Sequence, residues 1–189
     1  MIKNYKFKLY TAKRNKKLHR QINAAGLAYN HCIALHRRYW QLYRKSLNKF
    51  ALQKHLTKLK KLERFSYLKE IGSQALQDVT DRIDRAYKLF WTNLDNKRKT
   101  APPGFKKVRK YKSYTLKQAG WKLDEGHGTV YIAKQKYRYF KSRSVEGRIK
   151  TLTVKRDTLG DIYLYFVCEQ KITEVKLRTG KSVGFDFCF

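Results

Sequence analysis

Acidic residues are scarce in this chain and absent from its first 62 residues. The 189 residues include 45 Lys and Arg but only 14 Asp and Glu, and the first acid is Glu63. A surface without acids cannot neutralise itself through local ion pairs, so it favours a polyanionic partner such as nucleic acid, whose condensed counterions are released on binding. The alternatives are a ribosomal-protein-like chain and a surface that is basic without a specific partner.

Cysteines and long apolar runs are also few, and their scarcity excludes several classes of protein. The three cysteines show no Cys-x-x-Cys spacing, so we expect neither a zinc ribbon nor a disulfide framework, and they suggest a reducing compartment. No run of about 18 apolar residues is present, so we expect no membrane span. No lipidation signal favours binding to a membrane surface. We therefore expect a cytoplasmic, nucleoid-associated protein.

The patterns that are present predict an α+β fold. Residues 2–10 alternate apolar and basic side chains with the period of a strand. Apolar residues then recur every three or four positions, which predicts amphipathic helices at about 11–43, 49–62 and 73–97. Thr11 and Ser73 are predicted N-caps. Gly26, inside the first helix, predicts a close crossing by another helix.

Strand patterns return in the second half of the chain. Residues 99–117 contain both prolines and are predicted to be a loop or edge segment. Alternating residues then predict strands at 129–134 and 137–141 and a β-hairpin at 150–168. The first strand is too short to stand alone, so we expect it to pair with the later strands. The result would be a small antiparallel barrel with a three-helix domain inserted into it.

Residues suited to catalysis are few. Hydrolysis of phosphodiesters by two metal ions needs several convergent carboxylates, and Asp186 is the only acid in a predicted buried strand. The sequence has no local signature of a Ser/His/Asp or Cys/His site and no GxxxxGK[ST] phosphate-binding loop. Chemistry alone therefore favours a binding module over an enzyme.

The loop at 99–117 carries the clearest binding signal. Between Lys97 and Lys117 the chain has nine Lys and Arg and no acid, interleaved with Phe105, Tyr111 and Tyr114. Such a mixture is suited to holding a phosphate backbone while aromatic rings stack against bases. The alternative is a solvated charged loop whose aromatic residues are structural.

The third helix begins with three polar residues that could read DNA. Ser73, Gln74 and Gln77 lie in its first turns, and a glutamine side chain can contact adenine in the major groove. Two glutamines on a helix are, however, often simply solvated.

Six motifs occur in a characteristic order. They are AYN at 28–30, SQALQ at 73–77, DRAYKLFW at 84–91, PPGFKKVRKYKSYT at 102–115, RIKTLTVKRDTLGDIYLYFVCE at 148–169 and VGFDF at 183–187. Their order and spacing closely resemble the N-terminal half of the TnpB family, transposon-encoded RNA-guided DNA endonucleases. The resemblance covers essentially the whole chain.

The resemblance implies a division into domains. Residues 1–10 and 99–177 would form the wedge barrel of the family, and residues 11–98 a helical, helix-turn-helix-like recognition domain. Residues 181–189 would be the first strand of an incomplete RNase H-like (RuvC) nuclease domain.

The resemblance also implies partners and contact residues. The partners would be a guide RNA derived from a transposon end and double-stranded target DNA carrying a short transposon-adjacent motif. Gln77, with Ser73 and Gln74, would contact bases. The other predicted nucleic-acid contacts are Phe105, Lys106, Lys107, Arg109, Lys110, Lys112 and Tyr114.

The same resemblance gives Asp186 a role. It would be one of three acidic ligands that hold catalytic Mg²⁺ in the family, but the other two acids and the four-cysteine zinc element of the family are absent from this sequence. We therefore expect this chain, as the product of a truncated reading frame or a shortened protein, to bind nucleic acid without cleaving it. Two alternatives are a nuclease-dead transcriptional regulator and a guide-independent helix-turn-helix protein.

Overall fold

The computed structural model describes residues 1–170 of the chain. As predicted, the fold is α+β, with a helical region between the first strand and the later strands. The three α-helices are α1 (Asn15–Tyr43), α2 (Lys49–Leu59) and α3 (Ser73–Asp95). Two 3-10 turns, Glu63–Lys69 and Val108–Lys110, connect elements. None of the helices in residues 1–170 is both long and apolar enough to cross a membrane.

Seven strands form two antiparallel sheets. The strands are β1 (Ile2–Lys8), β2 (Ser113–Leu116), β3 (Trp121–Asp124), β4 (Thr129–Ile132), β5 (Gln135–Arg138), β6 (Arg148–Arg156) and β7 (Ile162–Glu169). The four-stranded sheet has the order β1-β7-β6-β2, and the three-stranded sheet has the order β3-β4-β5. The predicted hairpin is confirmed as β6 and β7, and the first strand pairs with a late strand, as β1 pairs with β7.

The predicted barrel is not closed in residues 1–170. The two sheets meet at a single isolated bridge between Leu9 and Tyr139. Hydrogen bonds flank this bridge, with Tyr10 N donating to Arg138 O at 3.0 Å and Phe140 N donating to Lys8 O at 2.9 Å. A single bridge does not continue the hydrogen-bond ladder around a closed barrel, so the strands form two linked sheets.

The apolar positions of the strands form one core with the helices. Alternation in β1 places Tyr5 and Phe7 in this core, with exposures of 1% and 2%. The hairpin contributes the buried residues Leu152, Val154, Ile162, Leu164, Phe166 and Cys168. The alternation of apolar residues in the sequence therefore predicts the buried positions correctly in both segments.

The ends of the helices differ from the predicted ones. Helix α1 begins at Asn15 instead of Thr11, because residues 12–15 form a turn in which Asn15 N donates to Ala12 O at 2.9 Å. Ser73 is the first residue of α3 and makes no capping hydrogen bond, since Gly72 occupies the N-cap position. Asn48, which was not among the predicted caps, caps α2 through its Oδ1, which accepts from Ala51 N at 2.9 Å.

Gly26 does lie at a close contact, but the partner is not another helix. A Cβ atom at Gly26 would lie 2.9 Å from Tyr111 Cβ and 3.2 Å from Tyr111 Cγ. Because Gly26 has no side chain, the segment that precedes β2 can pack closely against α1. This packing places the residues before Tyr111 along the helix surface.

Candidate nucleic-acid interface

The basic segment, defined as residues 99–112, is fixed to α1 by the AYN motif. Asn30 Nδ2 donates to Lys106 O at 2.8 Å, and Lys106 N donates to Asn30 Oδ1 at 2.9 Å. The neighbouring Tyr29 hydroxyl donates to Gly104 O at 3.2 Å. These bonds hold the backbone of the segment, so its charged side chains project from a defined position.

The charged groups of this segment have no acidic partners among residues 1–170. Lys106, Lys107, Arg109 and Lys110 are exposed, and Lys112 is half-buried. No carboxylate in the described part of the chain forms an ion pair with any of the five. An array of positive charges held in place without local neutralisation is suited to binding phosphates.

Two acids of α3, Asp81 and Asp84, form ion pairs with lysines. Asp81 lies 2.7 Å from Lys117 Nζ and 3.7 Å from Lys49 Nζ, and Asp84 pairs with Lys88 at 2.9 Å. These acids neutralise bases outside the basic segment.

Phe105 is the aromatic residue of the segment that remains accessible. The residue is 56% exposed, and the guanidinium carbon of Arg37 lies 4.7 Å from the centroid of its ring. Lys106 Nζ lies 4.8 Å from the centroid of the Tyr29 ring. Cation–π contacts of this kind align positive charges with ring faces. Phe105 and Lys106 are thus brought together with α1 on one surface.

Tyr114 belongs to the core, which corrects its predicted role as a contact residue. Its side chain is 1% exposed, and its hydroxyl donates to Gln21 Oε1 at 2.7 Å. Burial raises the pKa of Tyr114 above its usual value. Tyr111 is also buried, which raises the pKa of its hydroxyl to about 12. Neither ring is available to stack on a base.

Gln74 has a structural contact at the start of α3. Its Oε1 accepts hydrogen bonds from three successive backbone amides, of Lys117, Gln118 and Ala119, at 2.9, 3.0 and 3.2 Å. The side chain therefore holds the chain that leaves β2 against the helix. Ser73 and Gln77, by contrast, are exposed.

Ser73 and Gln77 line a polar groove of 270 Å³ between α2 and α3. The opposite wall comes from α2 and contributes polar side chains that the sequence analysis missed, namely Gln53, Lys54, Thr57 and Lys60. Gln53, Thr57 and Lys60 recur at helical spacing, each one residue after a leucine of α2, on the face beside the leucine stripe. That spacing is the signal by which they could have been found.

A buried ion pair fixes α3 to the sheet. Asp78 is 5% exposed, and its Oδ2 lies 2.8 Å from Arg82 and accepts from Thr115 N at 2.9 Å. Arg82 also donates to Ser113 O at 2.9 Å. Burial raises the pKa of Asp78, and the neighbouring guanidinium of Arg82 opposes that shift. The network sets the position of the helix start, and with it Ser73 and Gln77.

The metal ligand predicted at Asp186 lies outside the described residues, as does the whole strand predicted at 181–189. Within residues 1–170, no three His, Cys, Asp or Glu side chains lie together as a ligand set for a metal ion.

No protein-family model matches the chain. Two named, curated proteins are similar to it. Over 121 residues, which cover 64% of this chain and 28% of the relative, it is 31% identical to "Putative RNA-guided DNA endonuclease InsQ" of Escherichia coli strain K12. It is 26% identical to "Putative RNA-guided DNA endonuclease" of Streptomyces pristinaespiralis, in an alignment that covers 96% of this chain and 45% of that protein. The chain spans less than half the length of either curated relative. The chain is thus similar to proteins named putative RNA-guided DNA endonucleases, in agreement with the resemblance predicted from its motifs.

Proposed function

We propose that this chain is the nucleic-acid-binding part of a TnpB-type RNA-guided DNA endonuclease. The basic segment holds a guide RNA derived from a transposon end, and the start of α3 reads a short motif in double-stranded target DNA. One observation carries the proposal. The acid-free segment is fixed to α1 by Tyr29 and Asn30, and the chain is similar to proteins named putative RNA-guided DNA endonucleases.

The proposed RNA contacts follow from charge and exposure. Lys106, Lys107, Arg109 and Lys110 supply exposed positive groups to the RNA backbone, and the half-buried Lys112 adds a fifth. Phe105 offers an exposed ring on which a base can stack.

The proposed DNA contacts lie at the other end of α3. Gln77 presents an amide that can pair with adenine, and Ser73 presents a hydroxyl from the same groove. Gln77 and Phe90, which lines a cavity beside the basic segment, are separated by about 20 Å along the helix at a rise of about 1.5 Å per residue. This separation allows two nucleic-acid strands to be held at once.

The domain assignment forms part of the proposal. Residues 1–10 and 99–177 serve as the wedge domain, residues 11–98 as the recognition domain, and residues 181–189 as the first RuvC strand. Asp186 would be a Mg²⁺ ligand of that nuclease domain. Because the sequence has no match to the other two acids of the family site, we infer that the 189-residue polypeptide binds without cleaving.

The experiment is a duplex-binding assay with and without RNA. Duplex DNA that carries the transposon-adjacent sequence is titrated with the purified chain, alone and together with RNA from the transposon end. We expect RNA to tighten DNA binding. Equal affinity with and without RNA would support guide-independent binding instead and would contradict the proposal.

Charge variants locate the RNA contacts. Replacing Lys106, Lys107, Arg109 and Lys110 together by Ala is expected to reduce the salt dependence of RNA binding, since each lost phosphate contact lowers the log–log slope by about 0.7 for a single strand. The matched control removes four exposed lysines elsewhere, Lys13, Lys122, Lys136 and Lys141. Equal losses in both variants would indicate a general basic surface without a defined RNA site.

A further inference from the structure

An aromatic pocket lies between the C-terminal halves of α1 and α3, next to the basic segment. Its walls include Arg37, Trp40, Phe90, Trp91 and Pro102. The cavity measures 230 Å³, which is below the range of about 300–1,000 Å³ of pockets for drug-sized ligands. The pocket therefore suits a single ring system.

The rings in this pocket are arranged to receive another ring. Trp40 and Trp91 are half-buried, with centroids 5.1 Å apart and planes inclined by 44°. Phe90 lies 4.8 Å from Trp91 at 60°. Tilted rings leave part of each face uncovered, and an inserted planar group can stack against such faces.

Two stacked, buried rings form the inner wall of the pocket. His36 and Tyr87 are buried and stack with centroids 3.7 Å apart and planes inclined by 13°. Leu47 N donates to His36 Nε2 at 3.3 Å, which holds the imidazole in place. The pocket is thus formed in the folded chain and does not depend on a ligand to create it.

Charge decides between the ligands that could occupy the pocket. No acidic residue of the described chain lines it. Arg37 connects it to the basic segment, because its guanidinium covers Phe105 at 4.7 Å and donates to Pro103 O at 3.5 Å. A planar group attached to a phosphate chain matches these surroundings better than an apolar peptide segment does. Gln41, at the pocket wall, offers an amide for a base edge.

We propose that this pocket binds one unpaired nucleobase of a nucleic-acid strand whose backbone lies on the basic segment. The inference rests on the proposed function, since it requires nucleic acid to bind there. A paired base is enclosed in its duplex and cannot enter. The pocket therefore gives the chain a preference for strands with at least one unpaired base.

Tryptophan fluorescence measures this preference directly. The chain has three tryptophans, and the third, Trp121, lies in β3 near Phe166. In a Trp121→Phe variant of the 189-residue chain, all tryptophan emission comes from the pocket. We expect a single-stranded RNA 12-mer to quench it, whereas an RNA duplex of the same sequence binds with little quenching. Single-stranded DNA of that sequence shows whether the pocket also accepts a deoxynucleotide.

A pocket variant separates this inference from the proposed function. Trp40→Leu in the same background is expected to weaken single-strand binding about tenfold, equal to about 1.4 kcal/mol, and to leave duplex binding unchanged. Equal quenching by both RNAs, or equal loss of both affinities in Trp40→Leu, would overturn the pocket assignment while leaving nucleic-acid binding intact. Absence of binding by either RNA would overturn both.

A crosslinking experiment on the unaltered chain avoids any folding defect of the variant. Single-stranded RNA containing 5-bromouridine is irradiated in complex with the protein, and the attached peptides are identified by mass spectrometry. We expect crosslinks at Trp40 or Trp91. Crosslinks confined to peptides outside α1 and α3 would contradict the proposal.

Discussion

Asn30 and Lys106 bind each other through two hydrogen bonds, with the Asn30 amide donating to Lys106 O and accepting from Lys106 N at 2.8 and 2.9 Å. The side chain of Asn30 thus pairs with the backbone of Lys106 as a neighbouring strand would. This pair links the AYN and GFKK motifs, which are 76 residues apart in the chain.

Asn30→Ala should release the basic segment at a moderate cost in global stability. Each hydrogen bond contributes about 1 kcal/mol, and the contact is near the surface, so we expect the free energy of unfolding to fall by about 1–2 kcal/mol. RNA affinity should fall by a larger factor than stability alone explains, because the segment loses its fixed position. Urea denaturation and RNA titration measure the two effects. The control is Asn15→Ala at the start of the same helix, which removes a hydrogen bond from the Asn15 side chain to Tyr10 O in the preceding segment and should leave RNA affinity unchanged.

The two glutamines of α3 should respond differently to substitution by Ala. Gln74→Ala leaves three backbone amides without their acceptor, and we expect a loss of about 1–2 kcal/mol in the free energy of unfolding. Gln77→Ala removes an exposed side chain, so stability should change by less than about 0.5 kcal/mol, while DNA motif recognition is lost. Thermal unfolding and duplex binding test the pair. A DNA defect in Gln74→Ala without loss of stability would contradict the structural role of Gln74.

Asp78→Asn should be strongly destabilising because it leaves the Arg82 guanidinium uncompensated beside the sheet. Removing one partner of a buried pair costs about 3 kcal/mol or more. The control is Asp84→Asn on the same helix. That substitution breaks a pair whose lysine side chain is 74% exposed, and pairs of this kind contribute about 0.3–0.5 kcal/mol. Comparable losses in the two variants would show that Asp78 does not fix α3 to the sheet.

The stability of the fold should decrease below neutral pH because of its histidines. His31 and His55 share a hydrogen bond of 2.9 Å between their Nε2 atoms, and burial lowers the pKa of both, as well as those of His19 and His36. Unfolded histidines take up protons at about pH 6.5, before these folded ones do. Stability is therefore fully present above that pH and is lost as the pH falls through it toward the folded pKa values.

Urea denaturation from pH 8 to pH 5 measures this dependence. We expect a plateau above about pH 7 and a decline below it. Replacing His31 and His55 together by Asn should make the decline shallower. An equal decline in the double variant would mean that this pair contributes nothing to the pH dependence.

Sequence periodicity predicted the elements that are determined locally. The alternation at Tyr5 and Phe7 and in the 150–168 hairpin gave the correct strands, and the spacing from Leu18 to His36 gave the buried face of α1. These patterns succeed because one face of each element is buried along most of its length.

The errors occurred where contacts between distant residues decide the outcome. The bases around Tyr114 suggested an accessible contact residue in a loop or edge segment, but residues 113–116 form the edge strand β2, which buries Tyr114 against Gln21. The role of Gln74 depends on amides that lie 43–45 residues away. The pocket of Trp40 and Trp91 likewise forms only when α1 and α3 pack together, so neither helix alone indicates it.

Sequencing the RNA that copurifies with the chain tests the proposed guide-RNA binding most directly. The wild-type chain and the variant in which Lys106, Lys107, Arg109 and Lys110 are replaced by Ala are purified in parallel from cells that carry the corresponding transposon end. We predict that one RNA derived from that end is strongly enriched with the wild type and lost with the variant. Recovery of cellular RNAs in proportion to their abundance, the same for both proteins, would contradict guide-RNA binding by the basic segment.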